Sequence, residues 1–160
     1  MSNTSRVLTM WNTLSTKPGG RWAFSRAVCL KAPYFGSIRP HLDALAPEHA
    51  RVSIRKRRAV QNHIGTVHAI AMCNMAEFAG GLMTEVTLPT THRWIPKGMT
   101  VEYLKKAATD LSAVASPDGA LDLATASDYR VRVEVYDKHE TVVFRALITM
   151  WVTPKDRAAA

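Results

Sequence analysis

The strongest constraint on this chain is the stretch from Ala69 to Met83, where apolar or small residues would occupy every side of a helix. A helix on a protein surface keeps a polar face, so this pattern predicts a helix buried all round. Asn74 and Glu77 are its polar interruptions, and Glu77 is its one ionisable group. A carboxylate in apolar surroundings is costly unless it is paired or takes part in chemistry. Glu77 is therefore the first candidate for a catalytic residue.

Two polar side chains, Asn62 and His68, precede this helix. The N–H groups at a helix N-terminus can stabilise a developing oxyanion, so the combination points to acyl chemistry. Structural readings remain open for each residue. Asn62 would also suit a turn or cap, His68 a loop-fixing position, and Glu77 a hydrogen-bonded core carboxylate.

The composition is that of one globular, cytoplasmic domain. The 160 residues are 47% hydrophobic and 21% charged, with a mean hydropathy of −0.09. No segment reaches the roughly 20 apolar residues of a membrane span, and the N-terminus lacks the pattern of a secretory signal. Cys29 and Cys73 lie in apolar surroundings without a pairing pattern, which indicates reduced core residues. His63 and His68 have no third ligand in view, so no metal site is expected.

The net charge of +8 is uneven: residues 1–110 contain 15 Lys and Arg against 6 Asp and Glu. Such an excess suits an anionic partner. The densest cluster, residues 55–58, would send alternate side chains to opposite faces of a strand. It has no interleaved aromatic residues for stacking on nucleic acid. We therefore expect a phosphate-bearing small molecule as ligand and no nucleic acid, although a solvated strand end would also explain the cluster.

Periodicity predicts two short helices, one buried helix and several antiparallel strands. The clearest β region is a hairpin over 128–153, turning at 137–140, with Val142 to Val152 alternating onto one apolar face. The remaining predicted elements are helices at 7–14 and 22–30, an extended segment at 34–45, strands at 50–58, 100–107 and 110–115, and a loop marked by Pro89 and 96–98.

A single helix enclosed by a curved antiparallel sheet resembles the hot dog fold of acyl-CoA thioesterases and dehydratases. Thioesterases of the phenylacetyl-CoA and 4-hydroxybenzoyl-CoA types have Asn or Gln, then Gly-x-x-His-Gly-Gly, then an acid nine residues after the histidine. Here Asn62 lies six residues before His68, Gly65 three before it and Glu77 nine after it. The chain departs from this pattern at the two glycines, which are Ala69 and Ile70.

The chain also resembles a little-characterised branch of that superfamily. This branch has Pro-Tyr near the first strand, matched by Pro33-Tyr34, and Asn-His-Ile-Gly-Thr-Val-His-Ala at the helix entry, matched by 62–69. The resemblance implies an α+β hot dog fold, with a curved antiparallel sheet wrapped around one long buried helix and short N-terminal helices. It implies one domain over 1–160, with a helical lead-in at 1–32, a core at 33–153 and a tail at 154–160.

By the same resemblance, the implied activity is hydrolysis of an acyl-CoA thioester. Glu77 would be general base or nucleophile, the Ala69 N–H the oxyanion donor, Asn62 the group orienting water or carbonyl, and His68 a site-shaping residue. The implied substrate contacts are Gly65, Ile70, Arg58, Arg93 and Lys97. No cofactor is implied beyond the CoA of the substrate.

The implied assembly is a homodimer or dimer of dimers, because hot dog active sites form between subunits. Replacement of the two glycines by Ala69 and Ile70 narrows access to the backbone. This departure keeps a second hypothesis open, in which the domain binds or senses acyl-CoA without hydrolysing it.

Overall fold

The structure, a computed structural model, describes residues 5–155. The predicted tail at 154–160 therefore lies mostly outside the described residues. The helices are α1 (Arg6–Leu14), α2 (Gly20–Lys31) and α3 (Ala69–Thr87), with 3₁₀ turns at Pro33–Ile38 and Arg58–Val60. The strands are β1 (His41–Ala46), β2 (His49–Ile54), β3 (His92–Tyr103), β4 (Leu111–Pro117), β5 (Ser127–Tyr136) and β6 (Val142–Pro154).

All six strands form one antiparallel sheet in the order β1-β2-β4-β5-β6-β3, and α3 packs along one face of it. Met75, Phe78 and Met83 of α3 are buried against alternate residues of the strands. The helix approaches closely at Gly80, where an added Cβ would lie 3.1 Å from Ile148 Cδ1. The predicted hot dog architecture and the hairpin of β5 and β6 are confirmed.

The N-terminal helices close one end of the core. Trp11 of α1 meets Phe24 of α2 edge-to-face, with ring centroids 5.2 Å apart, and both rings are buried. The Ser25 hydroxyl accepts the Leu42 N–H at 2.9 Å, which ties α2 to β1. Within residues 5–155, no helix combines the length and the apolar character needed to cross a membrane.

Two proline signals led to wrong expectations. Of the segment expected to be extended, 34–45, the first part lies in the 3₁₀ turn Pro33–Ile38, since proline suits the first turn of a helix, and the second part is extended as predicted in β1. The expected loop at 96–98 lies inside β3, where the pairing with β6 shifts register between Pro96 and Gly98. Proline lacks an N–H, but an edge strand tolerates it at such a bulge.

Other element boundaries also differ from expectation, and the strand expected at 100–107 runs from His92 to Tyr103 instead. α3 continues to Thr87, four residues beyond the predicted end. Its threonines satisfy their hydroxyls within the helix: Thr84 donates to the Gly80 carbonyl at 2.7 Å and Thr87 to that of Met83 at 2.6 Å. β2 stops at Ile54, so the basic cluster at 55–58 does not continue the strand.

Candidate active site

The loop before α3 is organised by Asn62. Its Oδ1 accepts the N–H groups of Ile64 at 3.2 Å and Thr66 at 3.1 Å, while Nδ2 donates to the Thr66 hydroxyl at 2.8 Å. Gly65 occupies the left-handed region at φ 77°, which this tight turn requires. Both ends of the Asn62 amide are thus engaged in its own loop. This geometry gives no support to a role for Asn62 in orienting water or a carbonyl.

His68 is the N-cap of α3. Its Nδ1 accepts the Ile70 N–H at 3.0 Å, and its carbonyl accepts from Ala71 at 3.0 Å and Met72 at 3.3 Å. The Ala69 N–H has no hydrogen-bond partner within residues 5–155. The start of α3 therefore presents one free main-chain donor, at the position expected for the oxyanion contact.

Glu77 lies two turns further along α3 and is half-buried. Its carboxylate makes no hydrogen bond or ion pair with the rest of the described chain. One turn before it, Cys73 Sγ lies 3.4 Å from the Tyr103 hydroxyl. One turn after it, a Cβ on Gly81 would lie 3.0 Å from the Trp94 ring. Glu77 consequently faces the middle of β3.

This side of α3 is open rather than enclosed. Ile70 is 53% exposed, and Cys73 and Glu77 are half-buried, so the helix is not buried all round as predicted. The hydrogen bond with Cys73, together with burial, raises the pKa of Tyr103 to about 12. The phenol is therefore neutral near pH 7 and is not a ready proton acceptor beside Glu77.

β3 is an edge strand, paired only with β6 among the described strands. It spans twelve residues and carries exposed apolar side chains, with Ile95 60%, Met99 38% and Tyr103 51% exposed. Long, apolar edges are rarely left open in native proteins, because their unpaired backbone groups invite another strand. The open side of α3 adjoins this edge.

The predicted basic contacts lie in two places, with Arg93 and Lys97 on β3 and Arg58 near the start of α3. Lys97 Nζ pairs with the Asp128 carboxylate at 3.0 and 3.1 Å and lies 5.0 Å from the centre of the Trp151 ring. Trp151 alternates with strand neighbours that face α3, so Lys97 is on the opposite face of the sheet. Arg93 lies on the same strand, where its Nε donates to the Thr153 hydroxyl at 3.1 Å.

Arg58 lies closest to the start of α3 among the predicted basic contacts. It is exposed and begins the 3₁₀ turn whose last residue, Val60, accepts the His68 N–H at 2.8 Å. The neighbouring Arg57 donates to the Ser37 carbonyl. Desolvation, and then the proximity of Arg39, lowers the pKa of Arg57.

A cavity of about 170 Å³ opens beside the start of α3. It contains one residue that sequence reasoning treated only as a helix interruption, Asn74, whose Oδ1 is buried and unpartnered within the described chain. A larger cavity of about 550 Å³ lies at the other end of α3, beside Glu85 and Trp94. No cluster of three potential metal ligands occurs in residues 5–155.

The chain is similar to one protein family and to several solved structures. The profile of the family described as "Domain of unknown function (DUF4442)" matches residues 20–152. A structural genomics target, APC5556, is 46% identical, with a TM-score of 0.80 and coverage of 93% of this chain and 98% of the other. None of the curated proteins matches the sequence.

More distant structures share the fold. A thioesterase of Haemophilus influenzae is 11% identical, with a TM-score of 0.71 over 82% of this chain and 91% of the other. A Pseudomonas aeruginosa protein described as a probable thioesterase is 20% identical, with a TM-score of 0.73 over 83% and 95%. At such identities the likeness shows a shared fold, the hot dog fold.

Proposed function

The chain belongs to the DUF4442 family and has a thioesterase-like hot dog fold, and we propose that it hydrolyses an acyl-CoA thioester to a free acid and CoA. One observation carries this proposal. Helix α3 presents an N–H at Ala69 and, two turns later, a carboxylate at Glu77, neither of which has a partner among the described residues. A donor for an oxyanion and a base for water are the two groups that thioester hydrolysis needs.

In this mechanism Glu77 acts in one of two ways. As general base, it takes a proton from water while the water oxygen attacks the thioester carbonyl carbon. As nucleophile, its own carboxylate attacks that carbon. The carbonyl oxygen gains negative charge, which the Ala69 N–H stabilises. One such donor contributes ~2.7–4 kcal/mol in known enzymes. The carbon–sulfur bond then breaks, and CoA leaves as a thiol, with the proton that Glu77 took from water when it acts as a base. If Glu77 is the nucleophile, the leaving thiolate takes its proton from solvent, and a water molecule then hydrolyses the acyl–Glu77 anhydride to release the acid. His68 holds the first turn of α3 in place through its bond to Ile70.

The site proposed here needs two copies of the chain. Ala69 and Glu77 are eight residues apart, or about 12 Å along the helix axis at 1.5 Å per residue. Each group must come within about 3 Å of the reacting atoms. We therefore propose a homodimer, or a dimer of dimers, in which Glu77 of one protomer acts with Ala69 of its partner. The open edge of β3 supplies a surface for this association.

The CoA phosphates are proposed to bind basic residues near the helix entry, with Arg58 favoured by its position. Arg93 and Lys97 are expected from sequence alongside Arg58. Lys97 is already paired with Asp128 on the other face of the sheet, which weakens its case. Gly65 and Ile70 border the entry and would line the path of the thioester.

A panel of acyl-CoA thioesters with detection of the released thiol tests this function. Thiol release by the wild-type protein, and its loss in Glu77→Gln, is the expected result. Glu85→Gln is a matched control, because Glu85 lies on the same helix with its carboxylate bonded to Trp94 Nε1 at 2.9 Å. If the wild-type protein releases thiol no faster than Glu77→Gln from every thioester in the panel, the proposal is refuted.

A non-catalytic acyl-CoA sensor is the second candidate. Two observations favour it: Ile70 is exposed at the helix entry where related thioesterases have glycine, and the Asn62 amide is occupied by its own loop. The sensor would bind acyl-CoA tightly and release no thiol. Measuring binding and turnover on the same thioesters separates the two functions.

A further inference from the structure

Asn74 carries a buried hydrogen-bond acceptor that no donor in residues 5–155 meets. The residue is 6% exposed, and its Nδ2 lies 3.1 Å from the Ser37 hydroxyl and 3.5 Å from the Tyr34 carbonyl oxygen. A carbonyl oxygen only accepts, so the contact with Tyr34 identifies the nitrogen and leaves Oδ1 as the unpartnered atom. A buried acceptor without a donor is destabilising, which is typical of a site that a ligand completes.

Asn74 lines the cavity of about 170 Å³ at the start of α3. The same cavity is bounded by His68 and Ile70, the two chain neighbours of Ala69, whose N–H has no partner within residues 5–155. At roughly 30 Å³ for each water-sized group, it admits only a few non-hydrogen atoms and is too small for CoA. Its size and position therefore suit the acyl end of a thioester.

The lining of this cavity contains no Asp, Glu, Lys or Arg. A second carboxylate on the acyl group could not donate to Asn74 Oδ1, because both are acceptors, and an ammonium group would find no carboxylate among the lining residues. A neutral hydroxyl is different, because it donates one hydrogen bond and carries no charge. The chemistry of the cavity thus selects a hydroxyl as the group that meets the Asn74 acceptor.

We propose that this cavity holds the acyl group of the substrate and that Asn74 Oδ1 accepts a hydrogen bond from a hydroxyl on it, so that Asn74 selects short hydroxyacyl thioesters. The inference rests on the proposed function for its thioester. Ala69 and Asn74 are five residues apart, about 7.5 Å along the helix, and side chains lean toward the helix start. This spacing suits a hydroxyl on the third or fourth carbon.

The test compares butyryl-CoA with 4-hydroxybutyryl-CoA and both enantiomers of 3-hydroxybutyryl-CoA. Calorimetry on Glu77→Gln gives dissociation constants, and thiol release by the wild-type protein gives kcat/KM. We expect at least one hydroxyacyl thioester to be favoured by ~10-fold or more, the scale of one buried hydrogen bond. Asn74→Leu, combined with Glu77→Gln for calorimetry and introduced alone for thiol release, should abolish the preference.

Glu85→Gln is the control, because Glu85 lies on the same helix outside this cavity, where its carboxylate accepts from Trp94; the preference should persist in this variant. Equal binding of all four thioesters would overturn the inference even if Asn74→Leu fails to fold, and would indicate a fixed water at Oδ1. A preference that survives in folded Asn74→Leu would also overturn it. If thiol is released from all four thioesters at equal rates, the proposed function stands and this inference is refuted. If the four thioesters bind with different affinities but no thiol is released, this inference stands and the proposed function is refuted.

Discussion

The imidazole Nδ1 of His68 accepts the main-chain N–H of Ile70 at 3.0 Å, and this bond determines which donor the start of α3 leaves free. Ala71 and Met72 bond to the carbonyl of His68. Ala69 is then the first-turn N–H without a partner among the described residues. A histidine that resembles a catalytic residue in sequence is thus a helix cap that defines the proposed oxyanion site.

Replacing His68 separates this capping role from a chemical one. His68→Ala removes the acceptor for Ile70 and should lower the free energy of unfolding by about 1 kcal/mol. It should also lower kcat, because the first turn is no longer fixed. His68→Asn supplies another capping acceptor and should recover most of both losses. Chemical denaturation and thiol-release assays measure the two effects. Recovery of stability without activity would assign His68 a direct role in the reaction.

The sequence predicted those parts of the fold that depend on periodicity. The apolar run from Ala69 and the alternation in β5 and β6 each persist for ten or more residues, so local pattern and tertiary burial agree. Pro33 and Pro96 were misread, since the effect of a proline depends on its surroundings. A 3₁₀ turn accepts Pro33 at its start, and the position of β3 at the sheet edge accepts Pro96.

The candidate site was predictable where it follows helix spacing and not where it depends on distant contacts. Ala69 and Glu77 lie on one helix, so their positions follow from the motif. The pairing of Lys97 with Asp128, 31 residues away, depends on strand register. Asn74 was missed as a site residue because Ser37, which orients its amide, is 37 residues away in the chain.

A charge on the open edge of β3 should weaken self-association. Ile95 is 60% exposed and is paired with Trp151 of β6. Both side chains lie on the sheet face away from α3, so Ile95→Arg leaves the surroundings of Glu77 unchanged. Sedimentation should show a dimer dissociation constant raised ~10-fold or more. Specific activity should then fall on dilution, because each site needs both protomers.

Leu30→Arg controls for adding an arginine at an exposed leucine, since Leu30 lies on α2 and is 85% exposed. This variant should associate and turn over like the wild-type protein. A wild-type protein that is monomeric at micromolar concentration, yet active, would contradict the shared site.

Charge reversal should locate the CoA phosphates. Arg58→Glu is expected to raise KM for acyl-CoA several-fold, whereas Lys97→Glu should have little effect, because Lys97 is neutralised by Asp128 on the far face. KM should also rise with ionic strength, since salt screens contacts between exposed charges. The matching acyl-N-acetylcysteamine thioester lacks phosphates, so its KM should not respond. A larger rise in KM for Lys97→Glu than for Arg58→Glu would place the nucleotide of CoA on the other face of the sheet.

Asp118 should make the stability of the sheet sensitive to acid. The hydrogen bond from Arg132, with Arg130 nearby, holds the pKa of Asp118 below its usual value of 3.8. The stabilisation is therefore present above the unfolded pKa and is lost as pH falls through the lower, folded pKa. Asp118→Asn should be less stable than the wild-type protein at pH 6, and the difference should be smaller at a pH below 3.8. Urea denaturation at both pH values measures this, and a constant difference would exclude the linkage.

Glu77 should carry the chemistry. Glu77→Gln keeps the shape of the side chain but removes its charge and basicity, so kcat should fall by ~10²-fold or more, the scale of a general base. Glu77→Asp keeps the acid but withdraws it by one methylene, so part of the activity should remain. Because Glu77 makes no hydrogen bond or ion pair with the other described residues, neither change should alter folding or dimerisation. Glu85→Gln, two turns along the same helix, should keep wild-type kcat. Equal turnover by wild-type and Glu77→Gln protein would make this carboxylate structural and place the base elsewhere.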